Sequence, residues 1–372
     1  MRLDNNQQAF FKLVRAGLWE KEARLSQFSD IDYAAILQLA EEQSVVGLIT
    51  IGLEHVTDVK VPQEWALQFV GETLQIEQQN KAMNKYVANL FNLLRAEDVY
   101  AVLVKGQGIA QCYGKPLWRA SGDIDLLLSD TNYEKAKKVL LPLAADVESE
   151  FKTLKHIGMT MQGGFVVELH GTLHSRLSNR IDKVIDEAQR DVFYGGNVRS
   201  WNNGNTTVFL PSLDNDVIFV FTHILQHYFI DGIGLKQICD LCFLLWVYRT
   251  DIDVMRLEHR LRKAGLMSEW LAFAALAVDW LGMPIEAMPL YSEDNRWSRK
   301  ATKICSEILI IGNLEHKQRR DFSGMSYMWR KFVSFRGRFS DMLRHFTVFP
   351  MDSIIFFGGM LRSGLHAAVR GE

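Results

Sequence analysis

An α+β fold is expected for this chain, with a small mixed β-sheet core set between an N-terminal and a C-terminal helical region. Apolar residues recur at helical spacing before Val99 and again after Pro211-Ser212. Between those points stand short apolar runs bounded by Gly, Pro and Asp, the pattern of buried strands. The shifts in pattern divide the sequence into residues 1–98, 99–210 and 211–372. A chain of 372 residues has room for two or three structural units, and 48% hydrophobic content supplies their cores.

In the first region, residues 31–54 carry Ile36, Leu37, Leu39, Val45, Val46 and Leu48 at helical intervals. Pro62 opens a second long helix over residues 63–97, with Trp65, Phe69, Leu74, Val87, Leu90, Leu93 and Leu94 on one side. The pattern changes at Val99. Residues 99–104 (VYAVLV) read as a buried strand that enters a tight turn at Lys105-Gly106. A short helix over 106–113 ends at Gly114-Lys115-Pro116, and a loop leads to a strand over 123–129 (DIDLLLS). A helix over 130–141 follows, with Asp130 or Thr131 as its cap. Strands over 154–161 and 165–171 are joined by Gln162-Gly163-Gly164 as a hairpin, and Thr206–Leu210 is one more short strand. Beyond Pro211 the chain is mainly helical.

Bulk properties narrow the function. A formal net charge of −2 gives no global attraction for nucleic acid, so templated polymerisation is not expected. Phosphate handling would need a local site. Of the four cysteines, Cys239 and Cys242 form a C-x-x-C pair inside an apolar helical stretch, with no second ligand pair to complete a zinc set. Buried core thiols are the expected reading, and so few cysteines suit a reducing cytoplasm. No signal peptide and no transmembrane run of about 18 apolar residues is seen.

The stretch that carries chemistry is VLVKGQGIAQCYGKPLWRASGDIDLLL, residues 102–128. On a strand, side chains two apart share a face, so Asp123 and Asp125 project together while Ile124 and Leu126 turn to the core. Adjacent carboxylates repel unless a cation lies between them, and such an oxygen pair suits Mg²⁺ or Mn²⁺. In FVVELHG, alternation puts Glu168 and His170 on one face. If this strand lies beside the acidic one, Glu168 supplies a third carboxylate and the set suits two metal ions. Gly106 and Gly108 permit close backbone approach to a phosphate, Lys105 adds a point charge, and Arg119 offers a fork for phosphate oxygens.

The sequence K-G-x-x-x-x-x-x-Y, then R-x-x-x-D-I-D-L-L-L, then V-E-L-H resembles a nucleotidyltransferase family of the polymerase-beta superfamily, often left uncharacterised in bacteria. The resemblance is strongest over residues 99–173 and extends loosely to H-I-L-Q-H and L-K-Q-I-C-D-L in the helical flank. It implies Mg²⁺-dependent transfer of a nucleoside monophosphate from a nucleoside triphosphate to an acceptor, with Asp123, Asp125 and Glu168 as catalytic metal ligands. The acceptor, a small molecule or a protein hydroxyl, is not identified. The superfamily's Gly-Ser turn is here Gly106-Gln107 preceded by Lys105, which bears on triphosphate binding more than on the metal ligands.

His223 and His227 share a helical face, as do Lys236 and Asp240. A zinc-protease reading of the histidines fails because Ile224 stands where a glutamate is required. In the resemblance this helical pair closes over the cleft, so Lys236 and Asp240 would touch nucleotide or acceptor; the alternative is an interhelical hydrogen-bonded cluster. His170 either backs a metal-binding carboxylate or caps its strand. Tyr113 either stacks on a base or packs under the loop. The aromatics of residues 346–357 suggest core or an interface, and the basic run 317–344 a solvated face. The competing function is a catalytically silent nucleotide-binding or partner-binding module, antitoxin-like in character.

Overall fold

The structure, a computed structural model, describes residues 3–230, 232–311 and 327–370, without the side chains of 311, 327–335, 363 and 365–370. Four helices come first: α1 (Asn5–Trp19), α2 (Tyr33–Glu42), α3 (Val46–Glu54) and α4 (Gln63–Ala96). Helix α1 opens on a capping box in which Asp4 accepts from the Gln7 amide while the Gln7 side chain accepts from the Asp4 amide. Glycines on both helices lie where α1 meets α3. A β-carbon on Gly17 would stand 2.0 Å from the Leu48 carbonyl oxygen, and one on Gly52 would stand 2.2 Å from that of Leu13. Only the missing side chains let these helices come so close.

Helix α4 runs 34 residues, about 50 Å at an ordinary helical rise. Phe69, Thr73, Ile76, Asn80, Met83, Val87, Leu90 and Leu94 fall on one stripe at alternating intervals of four and three. Thr73 and Asn80 are polar yet buried, and both are hydrogen-bonded. Thr73 meets the Thr50 hydroxyl at 2.7 Å, and Asn80 reaches the loop that leads to the acidic strand.

The sheet follows, with β1 (Ala101–Val104), helix α5 (Gly106–Ala110), β2 (Asp123–Leu128), α6 (Asp130–Leu140), β3 (Ala144–Val147), β4 (His156–Met161) and β5 (Val166–His170). The strand order is β1-β2-β5-β4-β3, mixed, with only the β2–β5 pair parallel. Its two faces differ. Leu103, Ile124, Leu126, Val167, Leu169, Ile157 and Met159 pack against α4 and α6 in one core. Val102, Val104 and Leu127 join a larger core on the other face, made with the N-terminal and C-terminal helices. Asp123, Asp125, Glu168 and His170 lie on that second face by alternation and register.

After the sheet come α7 (Asn179–Tyr194), the ribbon β6 (Val198–Asn203) and β7 (Thr206–Pro211), then α8 (Leu213–Ile230), α9 (Leu235–Val247), α10 (Val254–Ala264) and α11 (Met267–Ala275). Helices α12 (Asn295–Ile311), α13 (Tyr327–Phe346) and α14 (Pro350–Arg370) complete the order. Among the described residues no helix is long and apolar enough to cross a membrane.

The structure therefore is the expected α+β arrangement, with departures of detail. Strands β3 and β6 and helix α7 were not anticipated. The burial of β3 is mostly outward and that of β6 alternates weakly, so neither strand has the apolar run that marks a buried one. Helix α5 stops at Ala110 rather than Tyr113, β4 begins at His156 because 152–155 form a turn, and α6 follows Ser129 as cap position rather than Asp130 or Thr131. Much of the basic run 317–344 lies outside the described residues. In the 346–357 stretch Phe349 and Phe356 are core, whereas Phe346, Met351, Ile354 and Ile355 are exposed.

Candidate active site

Strand β2 starts with an acid and strand β5 carries another in its middle, and parallel pairing sets Asp125 directly beside Glu168. Asp123 lies two residues before Asp125 on the same face. Carboxylate oxygens of all three come within 4.8 Å of one another. This is the convergence that alternation and strand adjacency predicted.

Their electrostatics are uneven. The charge of Asp125, with burial, pushes the Asp123 carboxyl up to about 6. Burial opposes ionisation of Asp125, but Lys105 and His170 outweigh it and hold that carboxyl below its ordinary value. Lys105 Nζ donates to Asp125 Oδ1 at 2.8 Å, and His170 Nε2 lies 2.8 Å from the same oxygen. Glu168 is likewise lowered against its burial, by His156 Nε2 at 3.2 Å and His170 Nε2 at 3.3 Å. His170 thus buttresses two carboxylates, the first of the two roles expected of it.

Lys105 holds a backbone conformation of φ 56° and ψ −146°, a region that normally belongs to glycine. Such a placement costs about 1–3 kcal/mol and survives only where surrounding contacts enforce it. The Lys105 ion pair with Asp125 and the buried apolar strand behind it are those contacts. Next to it Gly106 has φ 38° and lies against the Asp123 carbonyl. Gly108 serves a different end from the phosphate approach expected, since a β-carbon there would stand 2.9 Å from Leu210 of β7. Its smallness lets α5 sit on the ribbon.

Arg119, expected to fork onto phosphate oxygens, instead forks onto Asp240 of α9, with Nε and Nη2 each 2.7 Å from a carboxylate oxygen. Both are buried, and Tyr113 donates to the same carboxylate at 2.6 Å. A guanidinium with no solvent takes the nearest anion of matching shape, and here that is Asp240. Tyr113 packs on Phe243 at 4.1 Å between ring centroids, so it lies under the loop. Lys236, one turn before Asp240, shares a cavity of about 150 Å³ with Lys105, Gly106, Arg119, Asp123, Asp125 and Glu168. With Asp240, which also lines it, all eight candidate residues share one space.

Residues 29–282 match the model of a family described as uncharacterised nucleotidyltransferase. The chain belongs to that family. No curated protein matches it. Among solved structures it is similar to an antigenic nucleotidyltransferase-like protein from Paracoccidioides brasiliensis, at 17% identity and a TM-score of 0.33, covering 54% of this chain and 93% of that one.

Three residues of this nucleotidyltransferase-family site escaped the sequence. Asn80 donates to the carbonyls of Leu117 and Arg119 and accepts from Gln107, so α4 pins the loop before Asp123. An amide in a mainly apolar stripe was the available signal. Gln43, wholly buried, accepts from the Leu235 amide while its own carbonyl accepts from Lys236, which seats the start of α9. His156 faces His170 across the β4–β5 pair, and only that register shows it. His156, Glu168 and His170 form a second set of ligand atoms within 4.8 Å. Cys239 and Cys242 are buried and free, with burial pushing both thiols up, as core thiols should be.

Proposed function

We propose that this protein transfers a nucleoside monophosphate from a nucleoside triphosphate to a hydroxyl of an acceptor. One observation carries the reading: three carboxylates from parallel neighbouring strands converge on one face, and one of them is pushed up to about 6 by its neighbour. Such crowding is a cost to the fold unless a divalent cation relieves it. The all-oxygen donor set of Asp123, Asp125 and Glu168 suits Mg²⁺ or Mn²⁺, which when bound would neutralise charge on the triphosphate and its leaving group.

The chain's own residues have separable roles. Asp123 and Asp125 would hold the ion beside the triphosphate. Lys105 and Lys236 stand beside them as charges for phosphate oxygens, and Gly106 keeps the turn open. Arg119 and Asp240 act as a locked pair that fixes the cavity wall and, through it, the loop before β2. In the reaction the acceptor oxygen bonds to the α-phosphorus, the bond from that phosphorus to pyrophosphate breaks, and Glu168 takes the hydroxyl proton. His156 and His170 aim Glu168 for that task. With a net charge of −2, the substrate class is a free nucleotide and a discrete acceptor rather than a template strand. Four buried free thiols agree with a cytoplasmic protein.

A second reading, a silent nucleotide-binding or partner-binding module, draws on the ion pair between Lys105 and Asp125, which already gives one carboxylate a cation. The two are separated by incubating the protein with each labelled nucleoside triphosphate, Mg²⁺ or Mn²⁺, and a cell extract. Pyrophosphate release, lost in Asp125→Asn, supports transfer. Mg²⁺-dependent nucleotide binding without turnover under any of these conditions supports the silent module.

A further inference from the structure

A second cavity, of about 230 Å³, lies against the first and shares with it Lys105, Glu168, His223 and His227. Otherwise the walls differ. Gly106, Arg119, Asp123, Asp125 and Lys236 line only the first, whereas Phe151, His156, His170, His174 and Arg176 line only the second. Glu168 therefore stands at the junction of two spaces, with the other carboxylates on one side of it and a basic, aromatic chamber on the other.

We infer that this second cavity is the acceptor site and that it takes a small hydroxyl-bearing anion, a molecule carrying a phosphate or carboxylate beside its reacting hydroxyl. The inference rests on the transferase reading above. In-line displacement requires the incoming oxygen and the departing pyrophosphate to occupy opposite sides of the α-phosphorus, so two spaces meeting at the base are what the reaction needs. The charge of the walls selects the class of molecule. Among the described residues lining the second cavity, Glu168 is the one acid, against the cations Lys105 and Arg176, and five histidines add hydrogen-bonding groups.

Two of these groups are held in place for such a role. His174 Nε2 is tied to Asp186 at 2.7 Å, and the Arg176 guanidinium lies 5.9 Å over the Phe151 ring. Arg176 has a φ of 62°, a left-handed placement that an arginine adopts only under constraint. The flat faces of Phe151 and Phe219 would pack the carbon skeleton of the guest.

Binding tests this without a known acceptor. The protein is first saturated with Mg²⁺ and a non-hydrolysable α,β-methylene ATP, then titrated by calorimetry with glycerol 3-phosphate, citrate and, as neutral control, glycerol. Saturable binding of at least one anion is expected while the nucleotide stays bound, with glycerol at least tenfold weaker. Arg176→Gln should weaken anion binding at least tenfold and leave nucleotide affinity within twofold, and Arg176→Lys should restore part of the loss. Phe151 is 43% exposed, so Phe151→Asp removes little buried surface, and it should also repel the anion. Displacement of the nucleotide by the anion, equal binding to Arg176→Gln and Phe151→Asp, or no binding of either anion each overturns the inference. Failure of the nucleotide analogue itself to bind is a different result: it sinks the transferase reading first and removes the acceptor role with it.

Discussion

Asp123 is the residue at which stability and chemistry pull apart. Its carboxyl is raised to about 6 from an ordinary 3.8, so the folded chain binds that proton more tightly than the unfolded chain does. Stability from this group is therefore unaffected below about pH 4, falls as pH rises towards 6, and stays lowered above that, by on the order of 3 kcal/mol. Asp123→Asn should accordingly raise the midpoint of urea unfolding at pH 7.5 without Mg²⁺, leave it unchanged at pH 4, and abolish Mg²⁺-dependent nucleotide binding. A midpoint lowered at pH 7.5 would count against the crowded-carboxylate account. The same sign predicts that Mg²⁺ stabilises the wild type at pH 7.5 and loses its effect by pH 5. Lys105 offers a second test. Because its φ is positive, Lys105→Gly should fold about 1 kcal/mol more stably than Lys105→Ala, though both lose the charge that meets Asp125. Equal stabilities in denaturant titrations would mean that the turn relaxes.

At the scale of elements, the site depends on how helices seat two loops. The buried pair Arg119–Asp240 joins the loop before β2 to α9, and removing one partner strands a charge away from water. Asp240→Ala should cost about 3–5 kcal/mol, whereas the double change with Arg119→Ala should cost less than the sum, read from a double-mutant cycle. Asn80→Leu would extend the apolar stripe of α4 but leave the Leu117 and Arg119 carbonyls without their donor, at about 1–3 kcal/mol. Gly47 ties the N-terminal helices to the same loop, since a β-carbon there would stand 2.1 Å from the Trp118 carbonyl oxygen. Gly47→Ala should therefore weaken nucleotide binding, while Gly17→Ala, which meets only Leu48, should lower thermal stability and leave nucleotide affinity within twofold in the protein that remains folded. Of these elements, the long helix and the acidic strands were legible because their residues repeat within a few positions. Strands β3 and β6 were not, because each borrows its stability from a neighbour and its own pattern is half polar.

Over the whole molecule, the first and last parts of the chain share one core rather than forming separate bodies of apolar contact. Phe10 and Phe11 of α1 belong to the same cluster as Phe273 of α11 and Phe349 near α14. Arg15 and Trp19 donate to the carbonyls of Trp280 and Leu281, and Gln43 donates to that of Ile308. A chain of residues 99–372 should consequently lose cooperative unfolding and bind a hydrophobic dye, as followed by calorimetry and fluorescence. A sharp transition in that fragment would show that the C-terminal helices are self-sufficient. The cleft lies between this shared core and the sheet, so the helices that stabilise the molecule also close the site.

The facing of the three acids was legible in the sequence alone, since strand alternation is a local rule and D-I-D and E-L-H each state their own facing side. Local patterning likewise sufficed for the α+β layout and the bland fate of Cys239 and Cys242. Tertiary structure decided what those rules cannot reach: that Arg119 meets Asp240 across 121 positions, that His156 faces His170, and that Glu168 divides two cavities. Pairing at long separation depends on which surfaces win the competition for burial, and no short stretch of residues encodes that outcome by itself.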